Sequence, residues 1–231
     1  MVNVDTVYQK VLAIANKEQR GYITPLEFNL YANQVQMDIF EQYFYDLNQF
    51  SRIPGNDTEY SDIVNILEEK INLFEVSNTI TGTLGTFFLT VIPGFQLNFY
   101  RLGTIQSGGK EVEKLEHKDF KVINRSPLTK PTSDRPVYYR QGHTLNVSPS
   151  TIESIEVFYI RIPSRAEWGY IVTNEKALYN SNSSTNFEVH ASEETDLVIK
   201  ILQLAGIGIK DPGLYQISGA EDNKNIQQEK Q

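Results

Sequence analysis

An α+β fold is predicted for this 231-residue chain, and three observations predict it. Apolar stripes with helical spacing are confined to the first 75 or so residues and to one segment near the end. Between them lie short aromatic and β-branched runs punctuated by Pro, Gly, Asn and Ser, the pattern of strands and turns. Hydrophobic content of 40% against 22% charged is that of an ordinary folded domain. The expected organisation is an antiparallel helical bundle over 1–76, then an antiparallel β-rich sandwich- or barrel-like region over 77–191. That region carries a short inserted helix at about 111–124. A C-terminal helix over 192–210 packs on the rest, and 211–231 is an extended polar tail docked on a partner.

In "DTVYQKVLAIANK", Tyr8, Val11, Leu12 and Ala15 fall at i, i+3, i+4 and i+7, with Asp5 as the expected cap and Gly21 as the stop. "TPLE" reads as a capping box: Thr24 is the N-cap, Pro25 takes the first helical position and Glu27 reaches back. The helix it opens carries Phe28, Tyr31, Ala32, Val35, Ile39, Phe40, Tyr43, Phe44 and Leu47. So wide an apolar face predicts more than one packing neighbour. After the turn "RIPGND", Tyr60, Ile63, Leu67, Ile71 and Phe74 mark a third helix.

Strand signals follow. "GTFFLTVIP" and "FQLNFYRLGTI", separated by Pro93-Gly94, suggest a hairpin, and "EVEKLEHKDFKVINR" suggests the inserted helix. "PVYYR", "HTLNVSP", "IESIEVFYIRIP" and "WGYIV" read as strands, with "FEVH" as the last. Apolar residues on both faces of "SIEVFYIRI" suggest a central strand covered on both sides. In the final helix Ser192 is the expected cap, Glu193, Glu194 and Asp196 suit the first turn, and Leu197, Val198, Ile201, Leu202 and Ala205 form the stripe. Gly206 is the expected stop. The tail from Gly219 has almost nothing apolar to bury and should be disordered alone. An ordered tail requires a partner to hold it, with Asn225, Ile226 and Gln227 as the expected contacts.

Composition narrows the function classes. A net charge of −8, from 29 acidic and 21 basic residues, opposes a grip on nucleic-acid phosphates. With no cysteine there is no disulfide, thiol nucleophile or thiolate metal site. "MVNVDTVYQK" lacks the basic end and apolar core of a secretory signal, and no run reaches the roughly 18 apolar residues of a membrane span.

Chemical motifs are weak. "GTIQSGGKE" has one residue too many between Gly103 and Gly109 for a phosphate loop, and Glu111 stands where a hydroxyl is needed. His117, His143 and His190 share no helical turn, and His190 with Glu193 and Glu194 lacks a zinc-protease box's second histidine. Ser107 sits in no nucleophile elbow. Glu68-Glu69 and Glu193-Glu194 suit solvated helix faces or helix starts, although a glycosidase pair can be assembled from distant residues. The expectation is therefore no enzyme, with no catalytic, cofactor-binding or metal residues. Thirteen Tyr, twelve Phe and a single Trp lean towards large contact surfaces. Trp168 can be read either as a surface anchor or as strand packing; it and Tyr170 are the expected interaction residues of the ordered part.

Four segments carry a resemblance: Gly21–Leu47, "RPVYY" (Arg135–Tyr139), "YIRIP…WGY" (Tyr159–Tyr170) and "STNFEVHASEETDLVIKILQLAGI" (Ser184–Ile207). Together they resemble structural proteins of tailed phages associated with Bacteroidota, of which the crAss-like phages are the best-known group. They cover most of the chain outside residues 75–130. The resemblance implies a virion protein, assembled in the host cytoplasm, of the head–tail connector or neck. Its subunits would form a closed ring of about twelve copies between portal and tail, contacting portal and other ring proteins. Genomic DNA would pass through the channel without specific binding, and no membrane is involved. The alternatives are a virion-associated hydrolase and a DNA-binding packaging protein.

Overall fold

In a computed structural model the described residues are 1–17, 23–50, 58–92, 94 and 98–208. The expected turn at "RIPGND", the stop at Gly21 and the whole tail, with Asn225, Ile226 and Gln227, lie outside them. In chain order the elements open with helices α1 (Val4–Lys17), α2 (Pro25–Phe50) and α3 (Thr58–Asn72). Strands β1 (Glu75–Thr81), β2 (Thr86–Phe88), β3 (Phe99–Ser107), β4 (Lys110–Glu111) and β5 (Glu113–Lys114) follow, then helix α4 (His117–Arg125). Next come β6 (Val137–Gln141), β7 (Thr144–Ser148), β8 (Ser154–Arg161), β9 (Tyr170–Thr173), β10 (Lys176–Tyr179) and helix α5 (Glu194–Gly208). The chain is α+β, as its patterning predicts, and its contacts divide it into two units: Phe74–Ile162, and the remainder on either side.

The helical unit contains α1, α2, α3 and α5. α2 packs against both α3 and α5, and α1 packs against α5. The wide apolar face of α2 is thereby used: Phe28, Ala32, Val35, Ile39, Phe40 and Tyr43 are buried. The five stripe positions expected in α5, Leu197, Val198, Ile201, Leu202 and Ala205, are buried too.

The capping box at Thr24 is formed as read. The Thr24 hydroxyl accepts from the Glu27 N–H at 3.3 Å, and the Glu27 carboxylate accepts from the Thr24 N–H at 3.0 Å and its hydroxyl at 2.7 Å. Those bonds, the hydroxyl's first, hold the Glu27 carboxyl below its ordinary value of 4.5. Its contribution to stability is therefore present at neutral pH and lost as pH falls through the lowered value. Thr24→Ala is expected to cost about 1 kcal/mol at pH 7 and to flatten the acid limb of a denaturation series. A pH profile unchanged from the parent would count against this.

Two other helix starts differ from expectation. The cap of α1 is Asn3, whose side-chain oxygen accepts from the N–H groups of Asp5 and Thr6 at 2.8 and 3.1 Å, and not Asp5. Ahead of α5, a 3-10 turn over Ala191–Glu193 is capped by His190, whose Nδ1 accepts from the Ser192 N–H. Ser192 is therefore the capped residue and not the cap, and the helix runs through Gly206 to Gly208.

In the β-rich unit one sheet has the order β1-β8-β3-β4 and the other β2-β7-β6-β5. β8 is central, as predicted, pairing antiparallel with β1 and β3. Ile155, Val157 and Tyr159 from β8 join Phe87, Leu145, Val147 and Tyr138 of the other sheet in one apolar cluster. Three expectations are corrected here. The runs flanking Pro93-Gly94 do not pair: β2 pairs with β7 and β3 with β8, because a 3-10 turn at Leu89–Val91 takes the chain out of the β2 sheet. The inserted helix begins only at His117, since "EVEK" alternates with Val112 buried and forms β4 and β5 instead. The sheet holding β5 is mixed, because β5 runs parallel to β6. At the turn into β2, Gly85 has φ +76 and its Cα lies against the Val147 carbonyl, where an added Cβ would stand 2.4 Å away.

Residues 163–191, expected in the β-rich region, belong to the helical unit. "FEVH" forms no strand. Phe187 makes a single antiparallel bridge to Val2, which pins the N-terminus with help from the Asn186 side chain at the Val4 N–H.

Candidate interaction surface

The segment after β8 is held to α2 by a ladder of side-chain amides. Asn29, Asn33 and Gln36 stand at i, i+4 and i+7, one face of the helix. An extended strand presents like-facing backbone groups every two residues, about 6.6 Å, close to the roughly 5.4 Å rise of one helical turn. The two repeats match for three rungs. Gln36 Nε2 donates to the Ser164 carbonyl at 2.7 Å, Asn33 Nδ2 to the Ala166 carbonyl at 2.9 Å, and Asn29 Nδ2 to the Trp168 carbonyl at 3.3 Å. Asn29 Oδ1 also accepts from the Trp168 N–H at 2.8 Å, and Gln36 Oε1 from the Glu188 N–H at 3.0 Å. Gln36 is 1% exposed, so both ends of a buried amide are satisfied. The signal for this in the sequence is three amides at i, i+4 and i+7 along α2, two of them, Asn33 and Gln36, each next in sequence to a buried apolar residue, Ala32 and Val35.

The ladder ends at Trp168, which is 3% exposed. Its ring packs on Tyr8 at 4.3 Å, Tyr179 at 5.8 Å and Tyr170 at 5.9 Å between centroids, and its Nε1 donates to Asp5 at 2.9 Å. Of its two sequence readings, the structure places it as packing, not as a surface anchor. Gly169 follows because the 180–184 loop crosses it: an added Cβ would stand 2.2 Å from Ser183 Oγ and 2.7 Å from its backbone. That loop is tied down by Asn180 N–H to the Gly169 carbonyl and by Gly169 N–H to Ser184 Oγ.

Beyond this base β9 and β10 form a two-stranded ribbon, with Tyr170 opposite Tyr179 and Ile171 opposite Leu178. Its tip, Asn174-Glu175, has φ of 51° and 64°, the left-handed pair that a tight hairpin turn requires. The two tyrosines turn towards Trp168. Ile171 and Leu178 remain 56% and 54% exposed, and Val172 is more exposed still. A two-stranded hairpin is marginal alone in water, and an exposed apolar ribbon with open edges invites pairing with another chain. Tyr170 thus lies on the exposed ribbon, and Trp168 is the buried post that holds it.

The other candidates have structural uses. Glu193 is buried and ion-paired with Lys70 at 2.6 Å, and Glu194 pairs with Lys10 at 2.6 Å. Glu193 is thus part of the core, not the solvated helix-start charge its position suggested. Gly108 and Gly109, both at positive φ, make the turn between β3 and β4, and Lys110 is bound to Asp134. His117 packs on Tyr139. Among the described residues no three His, Asp or Glu side chains are grouped to hold a metal, and no helix is long and apolar enough to cross a membrane. No protein-family model matches the chain, and no curated protein matches it either.

Proposed function

We propose that this protein is a non-enzymatic structural subunit of a bacteriophage virion, one copy in a closed ring of about twelve that joins portal to tail and surrounds part of the DNA channel. The observation that carries the reading is the β9–β10 ribbon, an apolar arm built on a buried tryptophan and left uncovered within its own unit. A ring subunit repeats one heterologous contact until rotation closes, so it needs such an arm and a receiving surface. The four segments that resemble crAss-like phage structural proteins support the same reading, as does their order, helices before strands and a helix last. In this reading the helices form an antiparallel bundle and the β-rich unit a sandwich. Portal and other neck rings are the remaining partners, and a net acidic wall lets DNA slide past without specific binding.

The test is the mass of the purified chain by light scattering, with negative-stain images. Closed rings are expected, and Ile171→Asp with Leu178→Asp should leave folded monomers by circular dichroism. Rings that persist in the double variant would remove the arm from the contact, and a monomer at every concentration, with portal present, would remove the ring.

A further inference from the structure

We infer that α4 docks on the exposed face of α3 in a second copy, so that charge asymmetry within the chain drives its self-association. The inference rests on the ring reading and names a contact that would build it. The net charge of −8 is unevenly divided. Residues 74–162 hold ten Lys and Arg against eight Asp and Glu, and the rest of the chain holds eleven against twenty-one. A modestly basic β-rich unit is thus joined to a strongly acidic helical one.

On the basic unit the cations converge on α4. Lys118, Lys121 and Arg125 stand at i, i+3 and i+7, an exposed stripe. The opposite face is fixed: Phe120 packs edge-on against Tyr139 at 4.7 Å, and Asn124 Oδ1 accepts from Ser148 Oγ at 2.6 Å. Among the described residues no carboxylate pairs with the three cations. Val122, 60% exposed, lies within their stripe, and Leu128, 93% exposed, lies in the loop that follows.

On the acidic unit the matching face belongs to α3. Leu67 and Ile71 point to the core, while Ile66, Glu69 and Leu73 stand at i, i+3 and i+7 on the outer side with Glu68 beside them. Ile66 and Leu73 are about half exposed. Each face therefore mixes apolar side chains with charge, and the charges are opposite. A phosphate backbone would satisfy the cations but leave Val122 and Leu128 in water, and the chain's net charge would repel it. A second copy covers both kinds of group at once. Because the two faces are unlike, the contact is heterologous, as ring closure requires.

The experiment uses the full chain and two charge-reversed variants, Lys118→Glu/Lys121→Glu/Arg125→Glu and Glu68→Lys/Glu69→Lys, followed by light scattering. All five positions are exposed, so both variants should keep the parent's circular dichroism and melting. Each alone is expected to associate about tenfold or more weakly, the parent's association should weaken with salt, and an equimolar mixture of the two should regain assembly. Variants that each assemble like the parent would overturn this contact while leaving the ring reading standing. A parent that never associates would instead overturn the ring reading itself. If the α4 variant assembles normally but loses binding to duplex DNA that the parent shows, the stripe serves phosphate and the inference fails.

Discussion

Replacing Lys70 with methionine is expected to cost about 3–5 kcal/mol of stability, a large share of what holds a domain of this size together. Lys70 Nζ lies 2.6 Å from the Glu193 carboxylate, with little of either side chain in contact with solvent, and sits over the Tyr43 ring at 5.4 Å. The pair ties α3 to the 3-10 turn that launches α5. The pair itself contributes little net stability, because desolvating both charges offsets their attraction. Removing one member leaves a buried carboxylate uncompensated, and that is the costly state. Lys70→Met/Glu193→Leu should therefore be less destabilised than Lys70→Met alone. Urea denaturation followed by circular dichroism checks both statements. A single-variant loss under about 1 kcal/mol would mean that the pair behaves as a surface bridge.

Trp168→Ala is expected to cost a similar amount, about 3–5 kcal/mol, and to release the β9–β10 ribbon. The indole fills the space between Tyr8, Tyr170 and Tyr179, so its loss opens a cavity exactly where the ribbon meets the helices. Trp168→Phe keeps much of that packing and loses the Nε1 bond to Asp5, a change of about 1 kcal/mol. Limited proteolysis gives the second readout: cleavage within 170–179 should accelerate in the alanine variant and much less in the phenylalanine one. Equal protection in both would mean that the ribbon is held by something other than the indole. Such a result would also weaken the arm as an assembly element, since an arm without a rigid base loses its pre-organisation.

Much of the fold is legible in the sequence because the relevant forces act locally. The Thr24–Glu27 box needs only four residues, and the structure forms it atom for atom. The stripes of α2 and α5 follow from one helical period, and apolar residues on both faces of "SIEVFYIRI" mark a central strand without reference to its partners. Local signals become ambiguous where two neighbouring residues can do the same task. Asn3 and Asp5 are both cap-type residues near the start of α1. The helix begins at Val4, so Asn3 holds the cap position and Asp5 falls in the first turn, where it accepts from the indole of a residue 163 positions away. Likewise His190 takes the capping role ahead of Ser192, and Glu193 leaves the helix-start role for an ion pair with Lys70.

The candidate surface shows the same division. Aromatic excess and the "WGY" motif point to residues 168–170 as a place of interest, but burial decides that Trp168 supports the contact surface while the flanking ribbon presents it. The amides of Asn29, Asn33 and Gln36 had a visible spacing, yet their purpose depends on a segment more than a hundred residues later running alongside them at a matching repeat. Helix periods, caps and strand alternation are thus set by neighbours in the chain, whose geometry is known in advance. Which strands pair across Pro93-Gly94, where residues 163–191 return, and which carboxylate is buried are set by competition among distant segments for the same apolar surface and hydrogen-bonding groups. Only the folded chain resolves that competition, because each winning contact exists only when the others do.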